Sequence, residues 1–184
     1  MKKKLLIFLA STALTIFVFL AYAGLFEKVT IEEREMGPYT VLVKPQRGSY
    51  KQTPQTMKEV VEAVKAAGLT SYKGFGLYYD SPKKVDEENL RAEVGVVLPE
   101  EEISKVQNLA TQFQLKNIPA QNSVVVKFPY RIDLSILLGI FKVYPLLTKY
   151  VEDKGYNPPY GLEVYNKGQE IFYIMPMQTV LNNQ

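Results

Sequence analysis

Two stretches of this chain follow one order of elements, and that repetition restricts the fold more than any other feature. Val41-Leu42-Val43-Lys44 opens the first unit and Val124-Val125-Val126-Lys127 opens the second. Each is followed by a turn, a helix with an apolar face, a glycine (Gly68 and Gly155), and a strand with Gly-Leu in it. Gly76-Leu77-Tyr78-Tyr79-Asp80 lines up with Gly161-Leu162-Glu163-Val164-Tyr165-Asn166. Short Val-Lys strings coincide easily by chance, but a matched order of strand, strand, helix, strand, strand at both ends does not. Helices with one apolar face need a sheet to cover it, so the expected fold class is α+β. Duplicated βαββ-like halves would form an antiparallel sheet, with two long helices on its other side and a central cleft along the pseudo-twofold axis.

Period and punctuation place the elements. Val29–Glu35 alternates and reads as a short strand, Gly37-Pro38 ends it, and Tyr39–Pro45 is a stronger strand. Thr53-Pro54 has the N-cap and N1-proline signature of a helix start. Met57, Val60, Val61, Val64 and Ala67 then recur at helical spacing up to a Gly68 C-cap. Gly74–Tyr79 and Arg91–Leu98 read as two strands joined through the turn residues Asp80-Ser81-Pro82. Glu100–Gln114 starts with three acids and carries Ile103, Val106, Leu109 and Phe113 on one face, which predicts a short helix. A weak strand at Phe113–Ile118 and a strong one at Ser123–Phe128 lead to a helix from Leu134 to about Asp153, capped by Asp133. That helix is apolar nearly all round through Leu147, which predicts that it is either deeply buried or packed on two sides, and Pro145 predicts a kink. Its apolar part is too short to span a bilayer, so it reads as a core helix. Tyr160–Asn166 and Glu170–Met175 form a last hairpin around Lys167-Gly168.

The 184 residues suffice for one domain with its own core, and 47% of them are apolar. The chain has no Cys and no His. Disulfides, thiol nucleophiles, Cys/His zinc sites, haem ligation through His or Cys and Ser-His catalysis are therefore excluded. Acid–base chemistry would have to run on Glu, Asp, Lys or Tyr. The acids at 86–88 and 100–102 have no oxygen-ligand loop around them, so no metal and no other cofactor is expected. The pI of 8.8 traces to Lys2, Lys3 and Lys4. The remaining 19 basic residues balance the 19 acidic ones, so no nucleic-acid partner is expected.

Leu5 to Phe26 is a 22-residue run without a charge. As a helix rising about 1.5 Å per residue it spans a hydrocarbon core of about 30 Å. Residues 1–26 therefore read as a single-pass transmembrane anchor, with residues 27–184 as one domain. The lysine cluster would keep the N-terminus cytoplasmic and send the domain across the membrane. The rival reading is a signal peptide cleaved at Ala21-Tyr22-Ala23, although the apolar run continues past that site through Leu25-Phe26. A monomer is expected.

Three motifs in order carry a family resemblance: Y-Y-D-x-P at Tyr78 to Pro82, R-x-x-V-G at Arg91 to Gly95, and L-E-x-Y at Leu162 to Tyr165. With the duplicated layout they resemble the gyrase-inhibitor-like (GyrI-like) family of the SOUL-type superfamily. This is a small-molecule-binding domain also found fused to AraC-type and MerR-type regulators. The resemblance covers about Val29 to Met177. The hydrophobic N-terminus and the Phe128-Pro129-Tyr130 string are most similar to a membrane-anchored branch that includes a eukaryotic endoplasmic-reticulum autophagy receptor. That receptor's partner-binding motif lies in a long acidic tail without a counterpart here, so that function is not expected. Haem binding through histidine is not expected either, since there is none.

The resemblance implies that Glu163 sits in a cleft facing amphipathic or cationic small molecules, with Tyr78, Tyr165 and Tyr173 as aromatic walls. In some members the glutamate takes part in hydrolysing cyclopropane-bearing alkylating compounds. From pattern alone, Glu163 could equally point outward while Leu162 and Val164 point in. Tyr79 and Tyr160 fall on the same strands, and Arg91 and Glu93 are read as a cross-strand pair. The expected function is binding of an amphipathic or cationic ligand. The alternatives are a hydrolase with Glu163 as base, and a protein-interaction module whose cleft is vestigial.

Overall fold

The computed structural model describes residues 2–178 of the chain. Residues 179–184 of the expected 27–184 unit lie outside that part. Helix α1 (Lys2–Ala23) leads into β1 (Ile31–Met36), β2 (Tyr39–Arg47), α2 (Thr53–Ala66), β3 (Lys73–Tyr78) and β4 (Arg91–Val97). The second half follows with β5 (Gln114–Ile118), β6 (Gln121–Pro129), α3 (Asp133–Asp153), β7 (Gly161–Asn166) and β8 (Glu170–Pro176).

All eight strands form one antiparallel sheet in the order β1-β6-β8-β7-β3-β4-β2-β5. The order is symmetric about the β7–β3 pair, as a duplication requires. Its outermost strands are exchanged: β1 of the first half pairs with β6 of the second, and β5 of the second pairs with β2 of the first. These two edge strands read IEEREM and QLKNI, and their charged and polar side chains discourage further strand pairing.

Helices α2 and α3 cover one face of the sheet. Val143, Leu147 and Val151 of α3 pack on Val124, Val126, Phe128 and Ile171, while Val60 and Val64 of α2 pack on Leu42 and Val96. Among the described residues no helix covers the other face, yet Val41, Val43, Phe75, Leu77, Val125, Leu162, Val164 and Ile174 are all almost fully buried there. Their burial follows from the sheet curling on itself. At Gly95 the backbones approach so closely that a Cβ would stand 1.9 Å from the Leu42 carbonyl oxygen.

Both helices end the same way. Gly68 and Gly155 take left-handed φ values of 85° and 69°. In α2 the Gly68 N–H donates to Lys65 O and the Leu69 N–H to Val64 O; in α3 the Gly155 N–H donates to Glu152 O and the Tyr156 N–H to Val151 O. This double bond pattern satisfies the last carbonyls, and Leu69 and Tyr156 fold back on the helix ends. The repeat is thus carried down to its capping geometry.

Four expectations are corrected. Thr53 is not the cap of α2; it lies inside the helix, buried, and Gln52 precedes it without a side-chain cap bond. Asp133 does not cap α3 either: the buried Ser135 Oγ reaches back to accept from the Arg131 and Ile132 N–H groups. Glu100–Thr111 is a run of 3₁₀ turns, not an α-helix. Its apolar residues Ile103, Val106 and Leu109 recur at intervals of three, the 3₁₀ period. Finally, α3 is buried along one side only; Leu137, Ile140, Phe141 and Leu146 face outward.

Candidate binding site at the seam of the two halves

The site forms where β3 and β7 meet. In this pair Gly76 lies opposite Glu163, and across β7–β8 Glu163 lies opposite Tyr173. Strand alternation then sets Gly74, Gly76 and Tyr78 on the helix-covered face with Glu163, Tyr165 and Tyr173. The two glycines leave a trough, and the Tyr78 ring folds into it: a Cβ on Gly76 would stand 2.7 Å from the Tyr78 hydroxyl. Opposite Glu163, therefore, the first half supplies a glycine, with a tyrosine laid over it.

Glu163 points inward and is 2% exposed. The Tyr144 hydroxyl, from α3, donates to its Oε1, and the Tyr165 hydroxyl donates to its Oε2. Tyr78 and Tyr165 are linked through their hydroxyls at 3.3 Å. Tyr173 stands edge-on to Tyr144 with ring centres 5.7 Å apart, and its hydroxyl donates to Ile136 O at 3.4 Å. The close approach of α3 depends on Gly139, where a Cβ would come within 2.2 Å of the Tyr173 hydroxyl oxygen. The buried Thr53 Oγ1 lies beside the Tyr78 hydroxyl and makes no well-aligned hydrogen bond among the described residues.

Burial pushes the Glu163 carboxyl above its ordinary range, against the opposing pull of the Tyr144 and Tyr165 hydroxyls. The same burial, reinforced by the Glu163 charge, pushes Tyr78, Tyr144, Tyr165 and Tyr173 up. All four phenols consequently stay protonated at neutral pH and serve as donors. Among the described residues Glu163 has no ion-pair partner. What the arrangement can do is offer a carboxyl group in an aromatic, water-poor setting, where an incoming cation favours its ionised form.

The structure thus brings Glu163, Tyr78, Tyr165 and Tyr173 to one place. It separates Tyr79 and Tyr160, which meet each other at 6.4 Å outside the site. Arg91 and Glu93 do not pair with each other: Arg91 bonds Asp80, and Glu93 accepts from Lys116 and Tyr79. Tyr144 was not anticipated, because α3 reads as a plain core helix. The signal was its hydroxyl, which needs a partner when it is carried inward by an otherwise apolar helix. Two surface concavities lie elsewhere, one between β2 and α2 near Lys44 and Glu59, the other beside Arg47 and Asp86. The Glu163 site itself is closed by the tyrosines.

With the duplicated sheet and its seam described, comparison with known proteins gives a family. The chain belongs to the GyrI-like family, described as the GyrI-like small molecule binding domain, which matches residues 29–170. Among solved structures it is similar to the EcmrR C-terminal domain, with a TM-score of 0.58 and 21% identity over 83% of this chain and 99% of that one. A cryo-EM structure of an EcmrR–DNA complex gives 0.58 and 19% identity over 97% of this chain and 69% of that one. A conserved protein from Listeria innocua gives 0.51 and 12% identity over 81% and 92%. At these identities the likeness shows the fold. No curated protein matches. Because one neighbour was solved with DNA, the likeness lends no support to the expectation of no nucleic-acid partner, which rests on charge balance alone.

Proposed function

We propose that this small-molecule-binding domain is tethered to a membrane and takes an amphipathic cation between its two helices, with Glu163 as the counter-charge. The observation that carries this reading is a buried carboxylate held by two phenol donors, with no ion-pair partner among the described residues. A carboxylate so placed costs free energy unless protonated, and a cationic ligand offsets that cost. The rings of Tyr78, Tyr144, Tyr165 and Tyr173 would supply apolar area and cation–π contact. Tyr78 is the movable wall: its hydroxyl meets that of Tyr165 at 3.3 Å, its ring stands edge-on to Tyr50 at 5.0 Å, and it is backed by a glycine. Swinging it off Gly76 opens the trough.

The tether is supported by α1, 22 residues long with a mean hydropathy of 2.4 over its most apolar window. Retention of that helix is supported by its junction with the domain. Ala23 is fully buried, and the Arg131 guanidinium donates to Tyr22 O at 2.9 Å, so the Ala21-Tyr22-Ala23 site is packed against the domain. Lys2, Lys3 and Lys4 favour a cytoplasmic N-terminus and a domain on the opposite side.

The test is a titration of the full chain in detergent with lipophilic quaternary ammonium dyes, read by fluorescence anisotropy. Saturable binding that weakens at least about tenfold in Glu163→Gln, equivalent to about 1.4 kcal/mol, is expected while the circular dichroism spectrum is unchanged. Equal affinity in Glu163→Gln, or equal affinity for a neutral analogue of the same shape, would refute the counter-charge role. Hydrolysis of an electrophilic compound that is lost in Glu163→Gln would instead make the glutamate a general base.

A further inference from the structure

The outward side of α3 is the largest feature that ligand binding leaves unused. Leu134, Leu137, Phe141 and Pro145 follow an i, i+3, i+7, i+11 series, an apolar stripe on the side turned away from Gly139, Val143 and Leu147. Phe141 is 69% exposed and Leu137 48%. Charges return to this side only in the second half of the helix, with Glu152 and the Lys149–Asp153 pair. Two turns of exposed leucine and phenylalanine on a core helix indicate a partner surface.

The end of α1 is clamped to the same part of α3. Arg131 donates to Tyr22 O and pairs with the Glu27 carboxylate at 2.6 Å. The Lys142 ammonium donates to Leu25 O at 2.6 Å and to Glu27 O at 2.7 Å. Gly24 lies so close to Phe128 that a Cβ would stand 2.9 Å from the ring. Between helix and domain there is accordingly no free linker. Arg131 lies just before α3 and Lys142 nine residues after its first residue, Asp133, so about 14 Å of α3 runs past the point where α1 ends. If α1 spans a bilayer, this stretch is held at the level where the chain leaves the hydrocarbon.

We propose that the outward face of α3 is a second membrane contact, inserting Leu137 and Phe141 into the headgroup–acyl boundary of the bilayer that α1 spans. An apolar helix face lying in the interface plane is the arrangement seen in membrane-surface helices. Together the spanning helix and the lying helix fix the orientation of the domain on the membrane. The inference rests on the membrane-spanning reading of α1.

The chain contains no cysteine, so single spin labels can be placed through Leu137→Cys, Phe141→Cys, Glu152→Cys and Leu14→Cys in the full chain, reconstituted in phosphatidylcholine–phosphatidylglycerol vesicles. Collision with oxygen, which partitions into lipid, is compared with collision with a water-soluble nickel chelate. Labels at 137 and 141 are expected to favour oxygen several-fold over the label at 152, with the label at 14 deepest. If the label at 14 is deep while those at 137 and 141 match the label at 152, the second contact is refuted and the anchor stands. An aqueous label at 14 removes the anchor and the second contact with it. Spin–spin broadening at 141 that disappears on dilution with unlabelled chain would assign the face to a second copy and overturn the proposal.

Discussion

Tyr144→Phe deletes one of the two hydroxyl donors to Glu163 and leaves its ring against Tyr173. A hydrogen bond to an ionised group contributes about 1.5–3 kcal/mol and one between neutral groups about 0.5–1.5. The difference, about 1–1.5 kcal/mol, falls on the charged form of Glu163 alone. At 1.36 kcal/mol per unit, the Glu163 pKa should rise by about one unit above its already raised value. The assay is a carbon-13 NMR titration of glutamate side-chain carboxyls in the full chain in micelles, with Glu163→Gln identifying the resonance. Tyr165→Phe should act in the same direction, since that hydroxyl holds the other oxygen. Affinity for a cationic dye at fixed pH should fall in both variants as the carboxylate fraction falls. An unchanged or lowered pKa in Tyr144→Phe would show that this hydroxyl does not hold the ionised carboxylate, and the electrostatic account of the site would fail.

Two further outcomes follow from the same geometry. Burial raises the Glu163 pKa, so the folded state binds that proton more tightly than the unfolded chain. Its stabilisation is complete below the ordinary value of 4.5 and is lost as pH rises through the raised folded value. The denaturation midpoint of the ligand-free protein relative to Glu163→Gln should therefore fall with rising pH across that window; a rise would contradict the assignment. Gly139→Ala should destabilise by about 1–3 kcal/mol through overpacking, because its Cβ would sit 2.2 Å from the Tyr173 hydroxyl oxygen. Adding Tyr173→Phe should restore most of the loss in thermal denaturation, and an unaltered melting temperature in Gly139→Ala alone would refute the contact.

Duplication accounts for why the site lies where it does. The symmetric sheet order puts the equivalent strands β3 and β7 side by side at its centre. Each copy then faces the other across one ladder, and the copies have diverged at that ladder. The first contributes Gly74, Gly76 and the folded Tyr78, while the second contributes Glu163 and Tyr165. An aromatic wall and a charge thus come from two halves that were once alike in plan.

Local signals in the sequence determined a good part of this. The helical spacing of Val60 and Val64, the glycines Gly68 and Gly155 past the helix ends, and the repeated strand-helix-strand-strand order each act within a few turns of chain. The three motifs from Tyr78 to Tyr165 carried the family, and the absence of Cys and His excluded whole classes of chemistry. The 3₁₀ run was not legible, because the three-residue spacing of Ile103, Val106 and Leu109 also fits one face of an α-helix. Tertiary structure alone decided which way Glu163 points, because alternation along β7 is satisfied equally with either face inward. Pairing with Gly76 on one side and Tyr173 on the other chose between them. It alone brought Tyr144 to the carboxylate, exchanged the edge strands β1 and β5, and left one side of α3 uncovered. Those outcomes depend on contacts between residues far apart in the chain, and the periodicity of a single segment carries no information about them.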